Sequence, residues 1–215
     1  MADPKAAPPA SATETEITLG LLNAVHDNSA VTQRTVAREL GIALGLANAY
    51  LKRCVKKGLI KVRQVPPNRY AYYLTPQGFA EKSRLTAEYL SYSFTFFRRA
   101  RSQCEELFAD CAEHGRRRVA LAGASELAEI ATLVAREFDI NLVAVLDGES
   151  EGSAFHGVPV LARDATLPPV DAVIVTDLTD AQRTFDALSR RLPNVPILAP
   201  KMLRVARRAV EEAAE

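Results

Sequence analysis

The sequence predicts two folds in series. An α+β part of three helices and a β-hairpin comes first, then a long helix, then a small α/β domain with a parallel sheet. Three observations point there. Helical apolar spacing gives way, over residues 59–74, to two short strand-like runs flanking Pro66-Pro67-Asn68-Arg69. The stretch from Phe79 to His114 contains no Gly or Pro. After Gly115, short apolar runs alternate with amphipathic stretches, the pattern of a parallel sheet covered on both faces.

Composition narrows the class. The chain has 215 residues, 48% hydrophobic and 25% charged, which excludes wholesale disorder and collagen. No apolar run reaches about 18 residues, so no membrane partner is expected. The Met1-Ala2-Asp3-Pro4 start has no basic n-region or apolar h-region, and a cytoplasmic location follows as the expectation. Three cysteines without a C-x-x-C pair argue against a disulfide framework or a zinc knuckle. The net charge of +1 conceals an asymmetry: residues 1–17 carry −2, residues 18–115 carry +6 and residues 116–215 carry −3. Residues 31–70 alone carry +8, with Glu39 their one acid. A basic segment of this density suggests an anionic partner.

The elements follow in order. Residues 1–14, rich in Ala, Pro, Ser and Thr, read as a disordered tail. Leu19, Leu22 and Val25 open a helix with Thr15 or Thr18 near its start. Thr32 is an N-cap for a second helix with Val36, Ala37 and Leu40 on one face. Gly41 stops it. A third helix runs from Ala43 to Lys57 with Ala47, Leu51 and Cys54 or Val55 inward, and Gly58 closes it as a left-handed C-cap. Leu59 to Val65 and Tyr70 to Leu74 form the hairpin. This order is that of a winged helix-turn-helix, expected over residues 15–76.

The segments Thr32-Gln33-Arg34-Thr35-Val36-Ala37-Arg38-Glu39-Leu40-Gly41-Ile42 and Leu51-Lys52-Arg53-Cys54-Val55-Lys56-Lys57-Gly58-Leu59-Ile60 resemble MarR-family winged-helix regulators. Tyr70-Ala71-Tyr72-Tyr73-Leu74-Thr75-Pro76-Gln77-Gly78 is similar to the subgroup associated with exopolysaccharide gene clusters. The resemblance implies binding to double-stranded DNA as a homodimer. From the residues themselves, Asn48 and Ala49 lie on the outer face of the third helix, where Asn can pair with adenine and Ala can touch a thymine methyl. Lys52 and Arg53 lie one turn on. Thr32, Gln33 and Arg34 open the second helix, where free N–H groups suit a phosphate. Asn68 and Arg69 sit at the wing tip. Leu44 and Leu46 stand where related domains carry hydroxyl and amide residues; they either touch thymine methyls or pack inside.

Residues 77–114 form the expected long helix, whose run from Phe79 to His114 spans about 50 Å at about 1.5 Å per residue. Leu90, Phe97, Ala100, Cys104, Leu107 and Cys111 fall at heptad-like spacing, with Tyr89, Tyr92 and Phe96 as a second strip. Leu90, Phe97, Ala100, Cys104 and Leu107 are the expected dimerisation seam. The cysteines read as core fillers.

Residues 115–215 read as a Rossmann-like domain. Strands are expected at 119–122, 141–146, 158–161, 170–176 and 195–198, and helices at 126–138, 179–191 and 201–214. Its first loop, Gly123-Ala124-Ser125-Glu126-Leu127-Ala128, is a degenerate form of G-x-G-x-x-G, and Asp147 lies where a carboxylate would hold ribose hydroxyls. Glu126 and Glu129 would repel a pyrophosphate there. The ligand classes open to the loop are a nucleotide, a nucleotide sugar or NAD(H), lined by Gly123, Ala124, Ser125, Asp147, Thr176 and Asp177. Val119 to Ser125, Val143 to Asp147 and Phe155 to Leu161 resemble the nucleotide-binding domain of sugar acyltransferases and nucleotide-sugar dehydratases. The redox regulator Rex also joins a winged helix to such a domain. Ser125 has no G-x-S-x-G context, and His26, His114 and His156 stand in unrelated places. The sequence alone therefore leads to a regulator sensing a small-molecule effector, with no catalytic or metal-binding residues and no activity as an enzyme. Two alternatives stay open: constitutive DNA binding with the C-terminal domain as a protein scaffold, and an enzyme acting on nucleotide sugars.

Overall fold

A computed structural model describes residues 10–65, 69–148 and 154–206. The chain divides into two compact units, Met1–Ser93 and Phe94–Glu215.

The first unit contains α1 (Ala10–Asp27), α2 (Gln33–Glu39), α3 (Leu44–Lys56), β1 (Ile60–Val65), β2 (Arg69–Leu74) and the first half of α4 (Pro76–Glu113). Residues 1–9 of the expected tail lie outside the described residues, but Ala10 to Glu14 are helical, so α1 starts earlier than Thr15 or Thr18. Thr32 caps α2 in both directions: its hydroxyl accepts from the Thr35 N–H at 3.1 Å, and Thr35 Oγ1 accepts from the Thr32 N–H at 2.9 Å. Gly41 and Gly58 both take positive φ, 61° and 72°, and end α2 and α3 as expected. The core gathers Leu21, Leu22, Val25, Val36, Leu51, Cys54 and Ile60. Cys54 faces inward and Val55 is exposed, which resolves that alternative.

Thr75 ties the wing to α4. Its hydroxyl donates to the Gly58 carbonyl at 2.6 Å and accepts from the Gly78 N–H at 3.0 Å. Gly78 sits so close that a Cβ there would lie 2.0 Å from the Leu59 carbonyl oxygen.

The second unit contains the rest of α4, then β3 (Arg118–Ala122), α5 (Glu126–Ala135), β4 (Asn141–Leu146), β5 (Ala154–Phe155), β6 (Val158–Leu161), β7 (Ala172–Val175), α6 (Ala181–Arg191) and β8 (Ile197–Leu198). The sheet order is β5-β6-β4-β3-β7-β8. All neighbours are parallel except β5 and β6, so the sheet is mixed rather than purely parallel. The added edge hairpin turns at His156 and Gly157, both at positive φ. Alternation along β3 sends Val119 and Leu121 to one face, where α5 and the α4 residues Ala100, Cys104, Phe108 and Cys111 cover them. Ala120 and Ala122 face the other side with Phe185 and Leu188 of α6. The crossover from β6 to β7 carries no helix. Lys201–Leu203 is a short 3₁₀ turn followed by irregular chain to Ala206, so the helix expected from residue 201 does not start there; residues 207–214 lie outside the described residues.

The expected dimerisation seam splits. Ala100 and Cys104 are fully buried within the second unit and Leu107 is half-buried against the same core. Leu90 and Phe97 are 44% and 40% exposed. Heptad spacing marks a buried stripe without saying what buries it. Burial lifts the Cys104 thiol to about 12 and the Cys111 thiol to about 11, and raises that of Cys54. All three therefore stay protonated near neutral pH, as core cysteines do.

At the base of the sheet Asp171 accepts from the backbone N–H groups of Arg118 and Arg117 at 2.8 and 3.1 Å and from the Arg118 guanidinium at 2.7 Å. These donors, the Arg118 side chain foremost, hold the Asp171 carboxyl down at about 2.

Candidate nucleic-acid interface and ligand cleft

The face of α3 follows directly from its spacing. Ala47, Tyr50, Leu51 and Cys54 are buried. The opposite line, Gly45, Ala49, Lys52 and Lys56, advances in steps of four, three and four residues and is exposed. Arg34 and Arg38 are exposed on α2. Arg34, Lys52 and Lys56 make no hydrogen bond or ion pair among the described residues. Lys52 and Lys56 on this line, and Arg34 on α2, thus stand exposed with no acid engaging them among the described residues.

Arg53 differs. Its guanidinium donates to Glu14 of α1 at 2.9 Å and lies 5.1 Å from the Tyr50 ring centroid. Both partners of the pair are exposed, so it holds Arg53 only loosely. Glu14, helical and paired, is a residue the sequence reading placed in the tail.

Asn48 is half-buried on the flank toward the wing, in a groove of ≈ 390 Å³ that it lines with Gln33, Lys52, Lys56, Tyr70 and Tyr72. Its side-chain oxygen is buried without a hydrogen-bond partner among the described residues. Bidentate pairing with adenine uses that oxygen as acceptor, so the expected Asn48 contact requires the side chain to turn out of the groove. The structure thus brings Gln33, Asn48 and Lys52 together and adds Lys56 from the end of α3 and Tyr70, which the hairpin register places on the groove wall opposite. Ala49 is exposed as expected. Asn68 lies outside the described residues; Arg69 opens β2 opposite Val65, and only its backbone is described.

In the second unit the Gly123–Ser125 loop is closed by its own chain. Ser125 Oγ accepts from the Leu127 and Ala128 N–H groups at 3.2 and 3.4 Å and donates to the Thr176 carbonyl at 2.6 Å. Thr176 Oγ1 donates to the Gly123 carbonyl at 2.6 Å. Gly123 has φ 108°, and a Cβ there would meet the Asp177 backbone at 2.6 Å. Asp177 accepts from the Thr179 and Asp180 N–H groups and from the Thr184 hydroxyl. Burial alone would raise its carboxyl. The Asp180 N–H, the Thr184 hydroxyl, the Thr179 N–H and Arg163 outweigh that and hold it below its ordinary value. Asp147 is buried, 3.8 Å from Arg163. Ala124 is half-buried on the core. With the Ser125 hydroxyl engaged and Glu126 and Glu129 in the first turn of α5, this loop does not fit a phosphate.

The open space lies beside it, next to the crossover that lacks a helix. A cavity of ≈ 440 Å³ is lined by Ala122, Gly123, Leu146, Arg163, Asp164, Arg183, Thr184, Ala187, Leu188 and Arg191. Three arginines share it with one acid. Arg191 donates to the Arg163 carbonyl and Arg163 faces Asp177 at 3.3 Å. Arg183 has no partner among the described residues.

Residues 14–61 match the family of winged helix-turn-helix DNA-binding domains. A search of curated proteins finds no match. Among solved structures, the PcaV transcriptional regulator from Streptomyces coelicolor, with its natural ligand, is 23% identical at TM-score 0.35, over 38% of this chain and 59% of its own. The chain thus spans less than two thirds of that relative's length. The multiple antibiotic-resistance repressor (MarR) from Listeria monocytogenes is 14% identical at TM-score 0.30, over 40% and 66%. Human N-acetylserotonin methyltransferase in complex with SAM is 14% identical at TM-score 0.35, over 93% and 81%. That likeness corrects two sequence-based readings. The long-coverage neighbour is a methyltransferase rather than a sugar enzyme or Rex, and the reading of the chain as no enzyme is overturned. At these TM-scores the roles of individual residues rest on the chain itself.

Proposed function

We propose that this chain is a transcription regulator that binds double-stranded DNA as a homodimer and responds to a phosphorylated small molecule held in its C-terminal unit. The observation that carries the reading is the outer line of α3, where Lys52 and Lys56, with Arg34 on the packed helix α2, stand exposed and unpaired among the described residues. In a winged helix-turn-helix the corresponding helix enters the major groove and neighbouring cations meet phosphates.

Dimerisation is assigned to α4. Tyr89, Leu90 and Tyr92 are large, apolar and exposed in the first unit, and a cluster of this kind on a helix favours a second surface. Sedimentation of the full chain is expected to give a dimer, and the Tyr89→Glu/Tyr92→Glu variant a monomer. A monomer in the unchanged chain would remove this part of the proposal.

The effector site is assigned to the arginine-lined cavity, whose volume is in the range of small-molecule pockets. Guanidinium forks match phosphate oxygens, and the apolar lining from Ala122, Leu146 and Leu188 suits the body of such a molecule. With AMP as probe at saturating concentration, the melting temperature of the full chain is expected to rise by several degrees. Adenosine should give no rise. Arg183→Glu should abolish the AMP effect while leaving the unliganded melting temperature unchanged. An AMP effect that survives Arg183→Glu places the ligand elsewhere.

A further inference from the structure

We infer that α3 discriminates bases through thymine methyl groups, with Leu46 and Ala49, and Leu44 at the helix start, as the specificity-determining residues. The inference rests on the DNA-binding reading above and adds what that surface recognises.

The entering half of α3 is apolar on its exposed side. Its first two turns expose Leu44, Gly45, Leu46 and Ala49. None of these side chains donates or accepts a hydrogen bond. Leu44 and Leu46 are 48% and 41% exposed rather than packed inside. Of the two polar side chains in these turns, Tyr50 is buried and Asn48 lines the wing groove with its oxygen buried. The cations begin only at Lys52, one turn later. The N-terminal residues of such a helix are the ones that meet base edges.

Among the groups in the major groove, only the C5-methyl of thymine is apolar. Leucine and alanine side chains laid against it remove methyl surface from water on both sides. Set against an exocyclic amino group or an N7, the same side chains would leave a polar edge desolvated and unpaired. Selectivity therefore arises from attraction to the T methyl and from the cost of burying the polar edges of A, G and C. The occupant of this apolar start is fixed as DNA by the charge around it: Arg34, Arg38, Lys52 and Lys56 are all exposed nearby in sequence and on the adjoining helix, with Glu39 the one acid in residues 31–70. A protein partner of apolar character would gain nothing from that cationic surround.

The test uses the full chain and duplexes selected by it from a random pool. Each thymine of the selected duplex is replaced in turn by deoxyuridine, which removes the methyl and leaves base pairing intact. At one to three thymines per half-site, affinity is expected to fall about fourfold, the worth of one buried methyl group. In Leu46→Ala the loss at one of these positions should shrink toward zero, while the others persist. Restoring a methyl by 5-methylcytosine in a C·G pair at that position should improve binding over cytosine. Tight, sequence-selective binding with deoxyuridine neutral at every position would overturn the inference while leaving DNA binding intact. Failure to enrich or bind any duplex would overturn both.

Discussion

Truncating Arg34, Lys52 and Lys56 together to alanine is expected to lower affinity for duplex DNA by about two to three orders of magnitude at 0.1 M salt. The same variant should show a salt dependence shallower by about 2.7 in log–log slope, because each lost phosphate contact removes about 0.9. The size follows from what these residues lack. Each is exposed and has no ionic partner among the described residues, so no internal pair has to be broken before it meets a phosphate. Their removal should cost the fold little, since none contributes to the core of the first unit. Arg53→Ala serves as the comparison. Its guanidinium is already engaged by Glu14 and lies near the Tyr50 ring, so its loss should weaken binding by no more than about tenfold. The readout is a titration of a fixed duplex at several salt concentrations. A triple variant with an unchanged slope would show that these cations do not touch the backbone, and the interface would have to lie on another face.

How much of this was legible in the sequence depends on what each signal measures. The α2–turn–α3 segment was legible because Thr32, Gly41 and Gly58 mark its ends by local chemistry, a capping hydroxyl and two positive-φ positions. The strands β4 and β6 were legible as apolar runs of the right length. The start of α1 was not, because Ala10 to Glu14 carry no apolar face; composition says only that they are small and polar. The seam on α4 was half legible. Its spacing identified a buried stripe, but Ala100 and Cys104 are buried by the sheet of their own unit, and spacing cannot distinguish that from a second copy. Ser125 shows the sharpest ambiguity. A hydroxyl after a strand and before a helix reads alike as a phosphate ligand and as an N-cap, and here it is the N-cap. The arginine-lined cavity had no sequence signal, because Arg163, Arg183 and Arg191 come from the crossover and from α6, and only the missing crossover helix leaves them around one space.

Gly123→Ala is expected to destabilise the second unit by about 3–5 kcal/mol, through two costs that add at one position. The first is conformational: φ 108° lies in a region that side chains with a Cβ rarely adopt. The second is steric. The new Cβ would lie 2.6 Å from Asp177 Cα and 2.7 Å from its backbone nitrogen, and backbone atoms cannot swing aside as a side chain would. Moving the Asp177 segment would strain the Thr176 N–H bond to the Ala122 carbonyl at 2.8 Å and the two Thr176–Gly123–Ser125 contacts at 2.6 Å. The melting temperature should fall on the order of 10 °C or more. Gly157→Ala isolates the first cost. Its φ is 88°, but nothing lies within 4 Å of its added Cβ, so the loss there should be about 1 kcal/mol. The difference between the two variants, read from denaturant or thermal unfolding, also decides what Gly123 is for. A phosphate-binding glycine keeps open space above it and would tolerate alanine in the unliganded protein nearly as well as Gly157 does. Equal losses at the two positions would therefore reopen the Gly123–Ser125 loop as a ligand site. A loss several times larger at Gly123 fixes that glycine as the close contact between the β3 and β7 loops, and leaves the arginine-lined cavity as the place where an effector can bind.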